Sequence, residues 1–226
     1  MQTPENTLKK ALQAGQVQHG IWLTSGTGVL AELAGHSGFD WCLIDGEHGP
    51  NTVSEMLPQL QALAVGGTPA VVRVANPEVW MVKQALDLGC QTVLVPMVDD
   101  AQTADAMARA MRYPPEGIRG SGAALARASK FSAISDYVPT ANAEMCLLVQ
   151  VETKRGMENL DAILATDGVD GVFIGPADLA ADMGHLGNSN APEVKAAIKE
   201  GLAKIAADNP RIKLIDVRDP DPHKVV

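Results

Sequence analysis

Positive charge is in short supply in this sequence. Eighteen Lys and Arg stand against 27 Asp and Glu, a formal net charge of −9 with a pI near 5.0. A nucleic-acid or anionic-membrane surface needs a basic field, so both partners are excluded. An anionic small molecule is not, because one Arg or one metal ion reverses the field inside a cleft. Long apolar runs are missing as well, and none reaches the length of a membrane span. The opening "MQTPENTLKKALQAGQ" reads as a polar amphipathic helix without a signal-peptide core, so the expected compartment is the cytoplasm. Cysteines are few and odd in number. Cys42, Cys90 and Cys146 lie far apart, inside or beside apolar segments. That is the pattern of buried, reduced thiols, not of a disulfide framework or a zinc cluster. Low-complexity segments, linkers and short-period repeats are absent too, and 226 residues suit one α/β domain spanning 1–226.

What the sequence does contain is alternation. Short β-rich runs at 19–24, 41–47, 70–74, 92–97, 146–152 and 171–178 are separated by longer stretches. In these, such as "SEMLPQLQALAV" and "DDAQTADAMARAMR", apolar residues recur at helical spacing. Nearly continuous apolar strands between helices predict a parallel sheet covered on both faces. A seventh candidate strand is "RIKLIDV", 211–217. The segment 113–144, rich in Gly, Ala, Pro and Arg, contains no clean strand and suits a lid or an oligomer contact.

One stretch poses a question. In "LLVQVETKRG", 147–156, Leu148, Gln150 and Glu152 share one side of a strand that should be buried. Other runs end in groups equally costly to bury: Asp45, Glu47 and His48 after 41–47, Arg73 on 70–74, and Asp178 at the end of 171–178. Each has a bland alternative. Asp178 suits a helix N-cap, Glu152 a solvated loop, His48 an ordinary turn, and Arg73 a structural partner of Asp45. In parallel α/β folds, however, the C-terminal strand ends build the active site, and four strands deliver such groups to one rim. Glu152 and Asp178 offer hard oxygen donors, too few to close a coordination shell. They suit Mg²⁺ or Mn²⁺ with positions left open. Beside an Arg and a His, such an ion equips a site to make an enolate next to a carbonyl.

The motifs "FDWCLIDGEHGPN", "LVPMVDDAQTADAMARAMRYPPEGIRG", "LLVQVETKRGMENLDAIL" and "GVDGVFIGPADLAADMG" resemble the HpcH/HpaI family of class II pyruvate aldolases, in particular its hydroxy-ketoacid aldolases. The likeness runs in order from about residue 7 to about 205. It implies a (β/α)₈ TIM barrel of the pyruvate/phosphoenolpyruvate-enzyme type, assembled as a homo-hexamer. It also implies a divalent metal (Mg²⁺ or Mn²⁺, or Co²⁺), no organic cofactor and no Schiff-base lysine. The implied substrates are pyruvate, aldehydes and 4-hydroxy-2-oxo acids. Carried over by motif, Glu152 and Asp178 hold the metal, and Arg73 holds the ketone oxygen of pyruvate. His48 moves a proton and is oriented by Asp87. Asp45 stands behind the metal site and tunes the water there. Gln150 lines the pocket, and the backbone of Gly175, Pro176 and Ala177 receives the pyruvate carboxylate.

Past Ala206 the likeness stops. "NPRIKLIDVRDPDPHKVV" differs from the strand, helix and closing strand that the family pattern implies, so an atypical or truncated C-terminal part is expected over 206–226. Two alternatives stay on the same fold: another enolpyruvate reaction, such as oxaloacetate decarboxylation, or an inactive truncated relative. Arg119, Arg127 and the 120–140 insertion fit a pocket rim or plain loop structure equally well.

Overall fold

A computed structural model describes residues 1–208 and the backbone of 213–215. Its strands are β1 (Gly20–Leu23), β2 (Trp41–Asp45), β3 (Ala70–Arg73), β4 (Thr92–Val95), β5 (Cys146–Val151), β6 (Gly171–Ile174) and β7 (Lys213–Ile215). All pair in parallel with their sequence neighbours, in the order β1 to β7. Each crossover carries helix, as parallel pairing requires. The helices are α1 (Thr7–Gln13), α2 (Gly28–Gly35), α3 (Val53–Gly66), α4 (Val79–Asp87), α5 (Ala101–Met111), α6 (Tyr137–Glu144), α7 (Lys154–Glu158), α8 (Leu160–Leu164), α9 (Pro176–Asp182) and α10 (Pro192–Asp208). Among the described residues β1 and β7 do not pair with each other, so the sheet seen there is open. The complete (β/α)₈ barrel implied by the resemblance is therefore not closed within them. Of the C-terminal stretch expected to be atypical, 209–212 and 216–226 lie outside the described residues. No helix among the described residues is long and apolar enough to cross a membrane.

Side chains alternate between the two faces of the sheet, and each parity has its own core. One set, including Cys42, Ile44, Val72, Val93, Val95, Leu147, Val149, Val151, Val172 and Ile174, packs with the helices. The other set, Leu43, Val71, Leu94, Cys146, Leu148 and Phe173, clusters on the opposite face with Leu8 of α1. Helix α1 closes the N-terminal end of this inner face. Asn6 caps it by accepting from Lys9 N at 3.0 Å and also donates to Thr92 Oγ1 at 3.0 Å, tying the helix to β4. The three cysteines are free and buried, Cys42 and Cys90 in the outer core and Cys146 in the inner one.

Strands β1 to β6 all end earlier than the sequence runs suggest, and for two of them a proline gives the reason. β4 stops at Val95, where Pro96 cannot donate to the ladder and Met97 takes a positive φ of 52°. β6 stops at Ile174, because Pro176 occupies the first position of α9 and its fixed φ starts the helix. The segment 113–144 forms two short 3₁₀ turns and α6, with no strand.

Leu148, 2% exposed in the inner core, is expected to lose about 2–5 kcal/mol on replacement by Ala. Leu125, 90% exposed, should change stability by less than about 0.5 kcal/mol on the same replacement. Urea unfolding of both variants checks the pair.

Candidate active site

The inner face explains the Gln-x-Glu ending. Along β5 the inward residues run Cys146, Leu148, Gln150 and then Glu152 just beyond the strand, apolar at the N-terminal end and polar at the other. The same change occurs on β2, from Leu43 to Asp45, and on β3, from Val71 to Arg73. Asp45, Arg73, Gln150 and Glu152 are all buried, so their polar atoms must satisfy one another.

They largely do. Asp45 and Arg73 are partners in the β2–β3 register. Arg73 Nε donates to Asp45 Oδ1 at 2.9 Å and Nη2 to Asp45 Oδ2 at 2.7 Å, a two-pronged contact. The indole of Trp22 lies against the guanidinium, 4.4 Å from ring centroid to Cζ, and meets Phe173 edge-on. The third arm, Nη1, is 3.4 Å from Gln150 Oε1 and 2.6 Å from Glu47 Oε2. Gln150 Nε2 donates to Glu152 Oε2, and Met97 N donates to Glu152 Oε1 at 2.9 Å. The left-handed backbone at Met97 belongs to the turn that aims this amide at the carboxylate. Gly175 is required by close approach, since a Cβ there would run into Glu152 Oε2.

The loop after β2 is fixed by its backbone. Glu47 N and His48 N both donate to Asp45 Oδ1, at 3.1 and 3.3 Å, and Gly46 N donates to Arg73 O at 2.8 Å. Asn51 Nδ2 bridges Asp45 O (2.7 Å) and Leu23 O (3.2 Å), while Asn51 Oδ1 accepts from Gln59 of α3. Gly49 packs so closely that a Cβ would sit 2.6 Å from Asp45 O.

Charge is unevenly distributed here. Burial works to raise the Asp45 carboxyl, yet the Arg73 hydrogen bonds and charge, with the two loop amides, hold it below its ordinary value. Burial pushes Glu152 up; Met97 N and Gln150 oppose this, and the charges of Glu47 and Asp178 reinforce it. Burial also raises Glu47, against the pull of Arg73 and His48 and with the push of Asp45 and Asp178. Asp45 and Glu47 thus share the Arg73 guanidinium, while the charges of Glu47, Glu152 and Asp178 act on one another. An all-oxygen donor set with excess negative charge fits a divalent cation. Among the described residues no three His, Cys, Asp or Glu side chains form a ready-made metal cluster, so protein donors alone do not complete a shell.

The sequence-predicted residues fall into four groups. Asp45, Arg73, Gln150 and Glu152 meet directly. His48 joins through the loop, its side chain 65% exposed and its Nε2 3.8 Å from Glu47 Oε2. Asp178 does not end a strand. It is an exposed residue in the first turn of α9, whose N-cap is Gly175, and its charge reaches Glu152 and Glu47. Gly175, Pro176 and Ala177 open the same helix.

Asp87 goes elsewhere. It is the last residue of α4, which returns the chain to the N-terminal end of the sheet, and its Oδ1 pairs with Arg119 Nη2 at 3.1 Å. The carboxylate beside His48 is Glu47 instead. Arg119 is buried, with Tyr113 and Tyr137 rings 4.5 and 5.8 Å away, and Arg127 Nη1 donates to Leu88 O at 2.6 Å. Both arginines anchor 113–144 to α4 and its C-terminal end. Trp22, Glu47 and Asn51 were not assigned roles from sequence. For Trp22 the signal was available, since in "HGIWLT" it points to the inner face one residue before β1 ends.

A family model described as HpcH/HpaI aldolase/citrate lyase matches residues 18–220. A hydroxypyruvate/pyruvate aldolase of Agrobacterium fabrum is 56% identical over 207 residues, 92% of this chain and 78% of that protein. A 4-hydroxy-2-oxo-heptane-1,7-dioate aldolase of Escherichia coli is 54% identical over 201 residues, 89% of this chain and 77% of its own. The crystal structure of an HpcH/HpaI aldolase/citrate lyase family protein from Burkholderia cenocepacia J2315 superposes with a TM-score of 0.87 at 40% identity, over 92% of this chain and 83% of that one.

The lowered Asp45 value sets a sign. Its folded pKa lies below the ordinary 3.8, so the stabilisation it gives is present above that pH and fades as the pH falls through the folded value. Asp45→Asn leaves Arg73 without its buried partner and should cost about 3–5 kcal/mol at pH 7. The gap to wild type should narrow below about pH 4. Chemical denaturation of both proteins at pH 7 and pH 3 checks it.

Proposed function

Because the chain belongs to the HpcH/HpaI aldolase/citrate lyase family, we propose that it is a metal-dependent class II pyruvate aldolase. It cleaves 4-hydroxy-2-oxo acids to pyruvate and an aldehyde, and runs the reverse addition. The observation that carries this assignment is the Arg73 guanidinium, held by Asp45 with one arm turned toward the buried Gln150, which in turn donates to Glu152. A single domain, closed as a (β/α)₈ barrel and assembled as a homo-hexamer in the cytoplasm, completes the proposal. Those last features rest on the family likeness.

Glu152 and Asp178 would hold the divalent ion, Mg²⁺, Mn²⁺ or Co²⁺, for which the oxygen donors and the uncompensated negative charge are suited. When bound, the ion supplies Lewis-acid polarisation of the substrate ketone. Arg73 Nη1 faces the ketone oxygen and interacts more strongly with the enolate than with the ketone, which is what lowers the barrier. His48 accepts a proton from the pyruvate methyl group. Gln150 lines the pocket beneath it, and the Gly175–Ala177 turn, pressed against Glu152, receives the substrate carboxylate. Asp45 acts through Arg73 and through the loop amides that set His48 in place.

Pyruvate with a panel of aldehydes, assayed with and without metal, tests the proposal. EDTA should abolish turnover and Mg²⁺, Mn²⁺ or Co²⁺ should restore it. Arg73→Ala should lose about 10²-fold or more in kcat and still bind metal. Wild-type turnover in that variant, or borohydride trapping of a pyruvate–lysine adduct, refutes the mechanism.

A further inference from the structure

Glu47 touches two residues that the aldolase chemistry requires. Its Oε2 is 2.6 Å from Arg73 Nη1 and 3.8 Å from His48 Nε2. The first contact is ionic without being an aligned hydrogen bond, for Oε2 is buried and no donor points along a hydrogen-bond direction to it. Asp45, by comparison, grips Nε and Nη2 in fork geometry. Arg73 therefore has one permanent carboxylate partner and one loosely seated partner, the latter on the arm that Asp45 leaves free.

The loop cannot carry Glu47 away, because Gly46 N, Glu47 N and His48 N are all hydrogen-bonded and Asn51 ties the end of the loop to two strands. Only the side chain is free to turn. His48, for its part, is largely exposed, and Glu47 is the carboxylate its ring nitrogen approaches. An imidazole acting as a base needs one nitrogen fixed as N–H so that the other presents its lone pair.

We propose that Glu47 is a positioning residue with two stations. Without substrate it rests on Arg73 Nη1, in the place the pyruvate ketone oxygen takes. With pyruvate bound, the incoming oxygen displaces it, and it turns to accept the Nε2–H of His48. That leaves Nδ1 to remove the methyl proton. The C–H bond breaks, its electron pair passes into the enolate, and the proton ends on Nδ1. Glu47 remains ionised throughout and stabilises the imidazolium. This inference rests on the aldolase assignment.

The test is the metal-loaded Glu47→Gln enzyme, with deuterium exchange at the pyruvate methyl group followed by NMR. Removing the competing charge from Arg73 should lower KM for pyruvate about threefold, the size of a weak charge contact. Losing the orienter of His48 should lower kcat about tenfold or more. A merely structural residue would not lower KM, and a KM that is unchanged or raised overturns the proposal. Crystals of the wild-type enzyme, with and without oxalate as a pyruvate-enolate mimic, test it independently of how the variant folds. Glu47 should sit on Arg73 without oxalate and reach His48 Nε2 with it. Glu47 still on Arg73 with oxalate bound overturns the two-station model alone. Wild-type protein that exchanges no pyruvate protons and binds no oxalate overturns the aldolase assignment with it.

Discussion

Asp45 and Arg73 face each other across the β2–β3 ladder, and the polar end of the inner face is arranged around the charge they share. Breaking such a buried pair is costly, because whichever partner remains is an uncompensated ion out of water. Asp45 does more than neutralise. The same Oδ1 that takes Arg73 Nε also takes the amides of Glu47 and His48, so one carboxylate fixes both the guanidinium and the loop beside it. Trp22 holds the guanidinium from one side, and Gln150 links it to Glu152. Below these groups the inner face is apolar down to Leu8, which keeps their interactions in a medium where charge is weakly screened.

Much of this was legible from period-2 alternation alone. Strand identity followed from apolar runs, and the parity of Leu148, Gln150 and Glu152 separated the inner face from the outer one. What parity could not decide was where a strand ends. Pro176 starts α9 within what reads as one continuous segment, so Asp178 is carried by a helix turn. Asp87 stands apart from His48 in this chain for a different reason. A motif preserves order along the chain, whereas α4 sends its last residue to the opposite end of the sheet and into the hands of Arg119. Glu47 lies at a strand end like the others, yet its importance comes from distances to Arg73 and His48 that only the folded loop creates.

The irregular segment 113–144 illustrates how a stretch without strands stays ordered. Arg119 is buried with aromatic rings of Tyr113 and Tyr137 beside it and has an ion pair to Asp87, while Arg127 reaches the carbonyl of Leu88. The segment carries a small core of its own, built from Tyr113, Ala123, Ala128, Ile134, Tyr137 and Ala141. Its guanidinium groups pin the segment to α4, whereas Arg73, the guanidinium proposed to act in the site, lies on a strand.

The three thiols give the fold an internal gauge. Burial pushes Cys42 up to about 11 and Cys90 to about 12, and raises Cys146 as well, so little thiolate is present at neutral pH while the fold is intact. One stands on the inner side and two on the outer. Alkylating reagents would reach them only through opening of the surrounding strands, and a mass-resolved labelling order would distinguish a sheet that peels from its inner face from one that sheds its helices first.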